Sequence, residues 1–104
     1  MKIKQGDAID VPVAVTANGS PVDPTEISSV EFYIGGIRKL YPDEVSYDSS
    51  GYFLVPLTQE ETFGFEADST IQLDVRVLFD GGQVIGSRRI ANISIVDAIS
   101  EEVL

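Results

Sequence analysis

The chain has 104 residues, no Cys and no His, and a formal charge of −10 from 17 acidic against 7 basic residues. That length suits one domain. The composition excludes disulfides and thiolate chemistry, removes the commonest general base and metal ligand, and gives a surface that repels nucleic-acid phosphates and anionic membranes.

Residues 2–5 read as a short first strand stopped by Gly6-Asp7. The next strand is predicted over 9–17, with Ile9, Val11, Val13 and Val15 on one face and Pro12 on the other. Proline cannot donate to a ladder, so Pro12 belongs at an open edge or a bulge. Asn18-Gly19-Ser20 is a turn, and Pro21 and Pro24 make the following connection irregular. A third strand is predicted over 29–34, with Val30, Phe32 and Ile34 facing one way and Glu31 and Tyr33 the other. Gly35-Gly36 breaks it, and 37–41 forms a partner strand ended by Pro42-Asp43. Residues 45–47 are weakly β. Asp48-Ser49-Ser50-Gly51 turns the chain into a strand over 52–57.

Thr58-Gln59-Glu60-Glu61-Thr62-Phe63 has the spacing of a capping box, with Thr58 as N-cap and Glu61 three positions later, so one helical turn is expected before Gly64. Phe63 and Phe65 are expected to plug one end of the core. Ile71, Leu73, Val75, Val77 and Phe79 then alternate with Gln72, Asp74 and Arg76; Asp80-Gly81-Gly82 supplies a hairpin turn, and a β-rich run extends from Val84 to Val96. Seven to eight short strands separated by turn signals predict an all-β, antiparallel two-sheet sandwich with one short helical turn. The sandwich should occupy residues 1–96, and 97–104 should form a short tail.

Chemistry is sparsely signalled. The carboxylate pairs Asp43/Glu44 and Glu60/Glu61 do not converge by their spacing, and no nucleophile elbow, phosphate loop or metal-spaced cluster is present, so no catalytic, cofactor-binding or metal-binding residues are assigned. Turn acids such as Asp43, Glu44, Asp48, Asp68 and Asp80 leave calcium as a weaker alternative. Tyr33, Tyr41, Tyr47 and Tyr52 could line a carbohydrate platform, but strand tyrosines more often sit at sheet margins. Asn18-Gly19-Ser20 and Asn92-Ile93-Ser94 match the glycosylation triplet by chance, since the N-terminal stretch has no apolar segment of a secretion signal. No apolar run approaches the ~20 residues of a membrane span.

Arg88-Arg89, with Arg76 opposite in the hairpin, is the one basic concentration, read either as a cross-strand charge ladder with Asp74 or as a docking face that Arg38-Lys39 could extend. Ile99, Val103 and Leu104 lie on a tail too short to bury itself against much, read either as a strand-end extension folding back on its own sandwich or as a segment that suits a slot on a neighbouring subunit. Arg76, Arg88, Arg89, Ile99, Val103 and Leu104 are therefore the candidate partner-binding residues.

Several segments occur in a familiar order: Gln5-Gly6-Asp7 before a strand, Asn18-Gly19-Ser20-Pro21-Val22-Asp23, Pro56-Leu57-Thr58-Gln59-Glu60-Glu61-Thr62, Leu73-Asp74-Val75-Arg76-Val77, the Asp80-Gly81-Gly82 hairpin and Gly86-Ser87. This layout resembles small immunoglobulin-like β-sandwich structural proteins of tailed bacteriophages and prophages, and is similar to the N-terminal domain of the baseplate upper protein family. The resemblance spans nearly the whole chain. It implies an immunoglobulin-like fold and a non-enzymatic virion part: a head decoration, head–tail or tail/baseplate accessory subunit. Such a subunit docks on other virion proteins and on copies of itself, and is assembled in the bacterial host cytoplasm. No cofactor, nucleic-acid or membrane partner is expected. The alternative is a β-sandwich module that binds carbohydrate or another surface ligand, assisted by calcium.

Overall fold

The computed structural model describes residues 1–104 apart from Asn18 and Glu101, with Ser87, Arg88, Arg89 and Ile90 described as backbone only. The elements run β1 (Lys2–Lys4), β2 (Ile9–Val13), β3 (Thr16–Ala17), β4 (Ser20–Pro21), β5 (Ile27–Ile34), β6 (Ile37–Tyr41), β7 (Ser46–Tyr47), β8 (Phe53–Leu57), α1 (Gln59–Phe63), β9 (Thr70–Phe79) and β10 (Val84–Val96); a 3-10 turn at Pro24–Glu26 precedes β5. The chain is all-β apart from these short helical turns. A five-stranded sheet has the order β1-β10-β9-β5-β6, a three-stranded sheet the order β2-β8-β7, and β3 and β4 form a separate two-stranded ribbon.

Alternation along the strands decides which side chains enter the core. Leu73, Val75 and Val77 of β9 are buried, as are Val30, Phe32 and Ile34 of β5 and Ile93 and Ile95 of β10. They meet Val11 and Val13 of β2 and Phe53, Val55 and Leu57 of β8. Phe53 is the centre of an aromatic group, with ring centroids 5.7 Å from Phe32, 5.0 Å from Tyr41 and 4.9 Å from Tyr47. The tilted and edge-on geometries suit the ring quadrupoles.

Two expectations about the strands are corrected. The larger sheet is mixed rather than antiparallel, because β1 runs parallel to β10, pairing Lys2 with Ser94 and Lys4 with Val96. Period-two patterning fixes the face of a strand but not its direction, and a parallel neighbour needs a long crossover, here supplied by the domain between them. The strand expected over 9–17 ends at Val13, opposite Phe53, where β8 itself begins. Without a ladder partner the chain leaves the sheet and β3 pairs with β4. Val15 stays buried, its carbonyl accepting from the Val22 N–H at 3.0 Å.

The α1 cap forms as its sequence predicts. Thr58 Oγ1 accepts from the Glu61 N–H at 3.1 Å, and Glu61 Oε1 accepts from the Thr58 N–H at 2.9 Å. Fully buried Thr62 ties this helix to the β1–β2 turn: its Oγ1 accepts from the Gly6 N–H at 2.9 Å and donates to the Asp7 carbonyl at 2.8 Å. Gly6 has φ +89°, and a Cβ there would stand 2.7 Å from Phe63 Cζ. Phe65 is buried at the same end, while Phe63 is half-buried. Among the described residues, no helix is long and apolar enough to cross a membrane.

Candidate docking surface

One face of the five-stranded sheet covers the core; the other carries the side chains of opposite parity. On it, Glu31 of β5 is in register with Arg76 of β9 and Leu40 of β6. Arg38 Nε donates to Glu31 Oε2 at 2.6 Å and Arg76 Nη2 to Glu31 Oε1 at 2.8 Å. The Glu31 side chain is only 11% exposed, whereas Arg38 and Arg76 remain 50% and 60% exposed. One carboxylate therefore lies under two guanidinium groups and orients both. The hydrogen bond from Arg38, reinforced by the charge of Arg76, holds the Glu31 carboxyl below its ordinary range against the opposing effect of burial. Each guanidinium has five N–H donors, and these contacts use one apiece. A shallow depression of about 310 Å³ lies here, lined by Glu31, Arg38 and Arg76 with Ser29, Leu40, Leu78 and Val84. Tyr33 and Val84 are exposed beside it.

The candidate residues separate on the structure. Arg76 is on this face, opposite Gly86, and Arg38 joins it. Its partner is Glu31, and Asp74 is itself engaged; the part of the expected ladder that Arg88 and Arg89 would carry lies outside the described residues. Lys39 does not extend the face. It points inward and is nearly buried, with Nζ 3.0 Å from the Glu61 carboxylate and 3.8 Å from Glu44 Oε2. The side chains of Arg88 and Arg89 lie outside the described residues. Ile99, Val103 and Leu104 are exposed, but on the tail at the other end of β10. Sequence reasoning missed Glu31. Its signal was a lone acid at an outward strand position with Arg76 in register on one flanking strand and Arg38 diagonal to it on the other, visible only once pairing is known.

The turn acids hold turns. Asp48 Oδ1 accepts from the Ser50 and Tyr52 N–H groups, Asp80 Oδ1 from the Ser28 hydroxyl, and Glu44 Oε1 from the Leu40 N–H. Among the described residues no group of three or more acids is arranged to hold a metal ion. The tyrosines are dispersed: Tyr41 and Tyr47 pack on Phe53, whereas Tyr33 and Tyr52 are exposed.

Three strand edges carry closing devices among the described residues. Outward backbone groups of Lys4 are satisfied by Asp7, whose N–H donates to the Lys4 carbonyl and whose Oδ2 accepts from the Lys4 N–H, each at 3.0 Å. Those of Leu40 are satisfied by Glu44 and Val45. Pro12 stands exposed on β2, the terminal strand of the smaller sheet. These devices blunt the edges at Lys4, Leu40 and Pro12 against pairing with another chain.

No family model, curated protein or solved structure matches this chain.

Proposed function

We propose that this chain is a non-enzymatic structural subunit of a bacteriophage particle: a head decoration, head–tail or tail/baseplate accessory protein. It is assembled in the bacterial host cytoplasm and works by docking on other virion proteins. The observation that carries the docking reading is the Arg38–Glu31–Arg76 group. Its guanidinium donors are held in fixed orientation on an exposed sheet face, bordered by Leu78 and Val84. Arginine on an apolar surround is the chemistry of interface anchors, and orientation by a buried carboxylate lowers the entropy lost on binding. The phage assignment rests on the ordered turn and cap motifs of the sequence.

The fold reading is immunoglobulin-like. Its support is the strand order: the grouping β2-β8-β7 corresponds to the B-E-D sheet of such domains, and β10-β9-β5-β6 to the G-F-C-C′ sheet.

The test is co-sedimentation. A tagged copy expressed in particle-producing cells should band with particles in a density gradient. Arg38→Ala with Arg76→Ala should leave folded protein in the soluble fraction. Failure of the unmodified chain to band with particles overturns the reading.

A further inference from the structure

We propose that the edge of β10 at Val84 and Gly86, with the cleft beside it, receives the 97–104 tail of a second copy of this chain, so that copies join head to tail. The inference rests on the docking reading above and names one partner for it.

The receiving side is defined by what it lacks. Val84, Ile85 and Gly86 pair with Leu78, Val77 and Arg76 of β9 on one side; on the other, among the described residues, no strand lies beside them, since β1 pairs only with Ser94, Ile95 and Val96. The Phe79 N–H donates to the Gln83 carbonyl at 2.9 Å. Antiparallel alternation from that pair turns the backbone groups of Ile85 toward β9 and those of Val84 and Gly86 outward. Neither a proline nor a charged side chain guards these three positions, unlike Pro12, Lys4 and the Leu40–Glu44 clip. Beside this edge lies a cleft of about 230 Å³, lined by Val75, Val77, Ile85 and Gly86 on one wall and Ala14, Val15, Thr16 and Ala17 on the other. A cavity of roughly 150 Å³ admits a benzene-sized group, so this cleft has room for an aliphatic side chain.

The tail has the matching chemistry. Ile99 is 96% and Leu104 105% exposed, and Val103 is exposed beside them. Asp97 and Glu102 are exposed acids on the same segment. Among the described residues two hydrogen bonds hold the tail to the domain: the Ala98 N–H to Gln5 Oε1 at 3.4 Å and the Leu104 N–H to Gln59 Oε1 at 3.1 Å. Across a chain of charge −10, an acidic segment meets repulsion almost everywhere. It meets guanidinium donors at Arg76, whose side chain passes beside Gly86. Apolar side chains thus find an apolar cleft on the inward side of this edge, and carboxylates find Arg76 on its outward side.

Geometry excludes the same contact within one copy. The thirteen residues of β10 separate Val84 from Val96 by roughly 35 Å, allowing for the irregularity between Ser87 and Ala91. The eight tail residues reach at most about 28 Å when fully extended, and β1 occupies the edge nearest their root. A contact between different surfaces of successive copies is heterologous, and it propagates unless a rotation closes it into a ring.

The test uses the full chain. Sedimentation equilibrium from micromolar to millimolar protein should show association that grows with concentration. Ile99→Asp with Val103→Asp disables the tail, and Val84→Asp disables the edge; all three are exposed positions, and circular dichroism verifies the fold. Each variant alone should be monomeric, with association at least tenfold weaker than that of the parent. A one-to-one mixture should form a dimer that grows no further, because each partner keeps one working surface. A parent chain that stays monomeric throughout overturns the proposal, as does self-association unchanged in either variant or a mixture that stays monomeric. A monomeric parent that still bands with particles overturns only this contact; self-association without particle banding overturns only the virion reading.

Discussion

Lys39 Nζ lies 3.0 Å from the Glu61 carboxylate, joining the inward face of β6 to the helix α1. The same carboxylate closes the capping box on the Thr58 N–H. Burial acts to raise the pKa of Glu61, and the Thr58 N–H and Lys39 outweigh it, leaving the carboxyl below its ordinary range. Glu61→Ala should therefore cost about 2 kcal/mol, from the lost cap and the stranded lysine. Lys39→Met should cost less, because its apolar stem still packs. Urea denaturation of the two variants and of the double variant measures both effects, and the double should fall short of the sum.

Acid should loosen the sheet face through Glu31. Its folded pKa is lowered from 4.5, first by the hydrogen bond from Arg38. A depressed carboxylate pKa contributes stability that is fully present above the unfolded value and is lost as pH falls through the folded one. The melting temperature of the parent should thus decline below pH 4.5 more steeply than that of Glu31→Gln. The variant should be the less stable of the two at pH 7. Thermal melts from pH 7 to pH 2 check the crossover.

Gly6→Ala should destabilise by roughly 1–3 kcal/mol, since a side chain is strained at φ +89° and its Cβ would press on the Phe63 ring. Phe63→Leu removes the ring but not the strain. Combining the two should recover part of the loss. Additive losses would show that the ring contact contributes nothing.

Pro12→Thr should leave the fold intact and give the terminal strand of the smaller sheet an outward N–H that it now lacks. The expected result is faster aggregation on heating, read by light scattering, with little change in the midpoint of reversible urea unfolding.

Local signals were legible wherever chemistry acts over a few residues. Thr58 and Glu61 announced their cap, Gly35 and Gly36 their tight turn with φ of +57° and +85°, and Pro12 its place on a terminal strand. Alternation in β9 identified Leu73, Val75 and Val77 as core. What escaped depends on pairing between distant segments. Glu31 reads as an ordinary outward acid until β5 is set between β6 and β9. Lys39 reads as a neighbour of Arg38 until α1 folds over the opposite face. The break after Val13 follows from where β8 starts, which nothing within residues 9–17 encodes.

The parallel seating of β1 against β10 sets an order for biosynthesis. Lys2 is translated well before its ladder partner Ser94. While a ribosome is still translating β10, the first strand has no place in the larger sheet, and Ile3, fully buried in the finished domain, has no core to enter. Closure must therefore wait until the last strand has cleared the exit tunnel, so the nascent chain meets the cell with its N-terminal strand unattached.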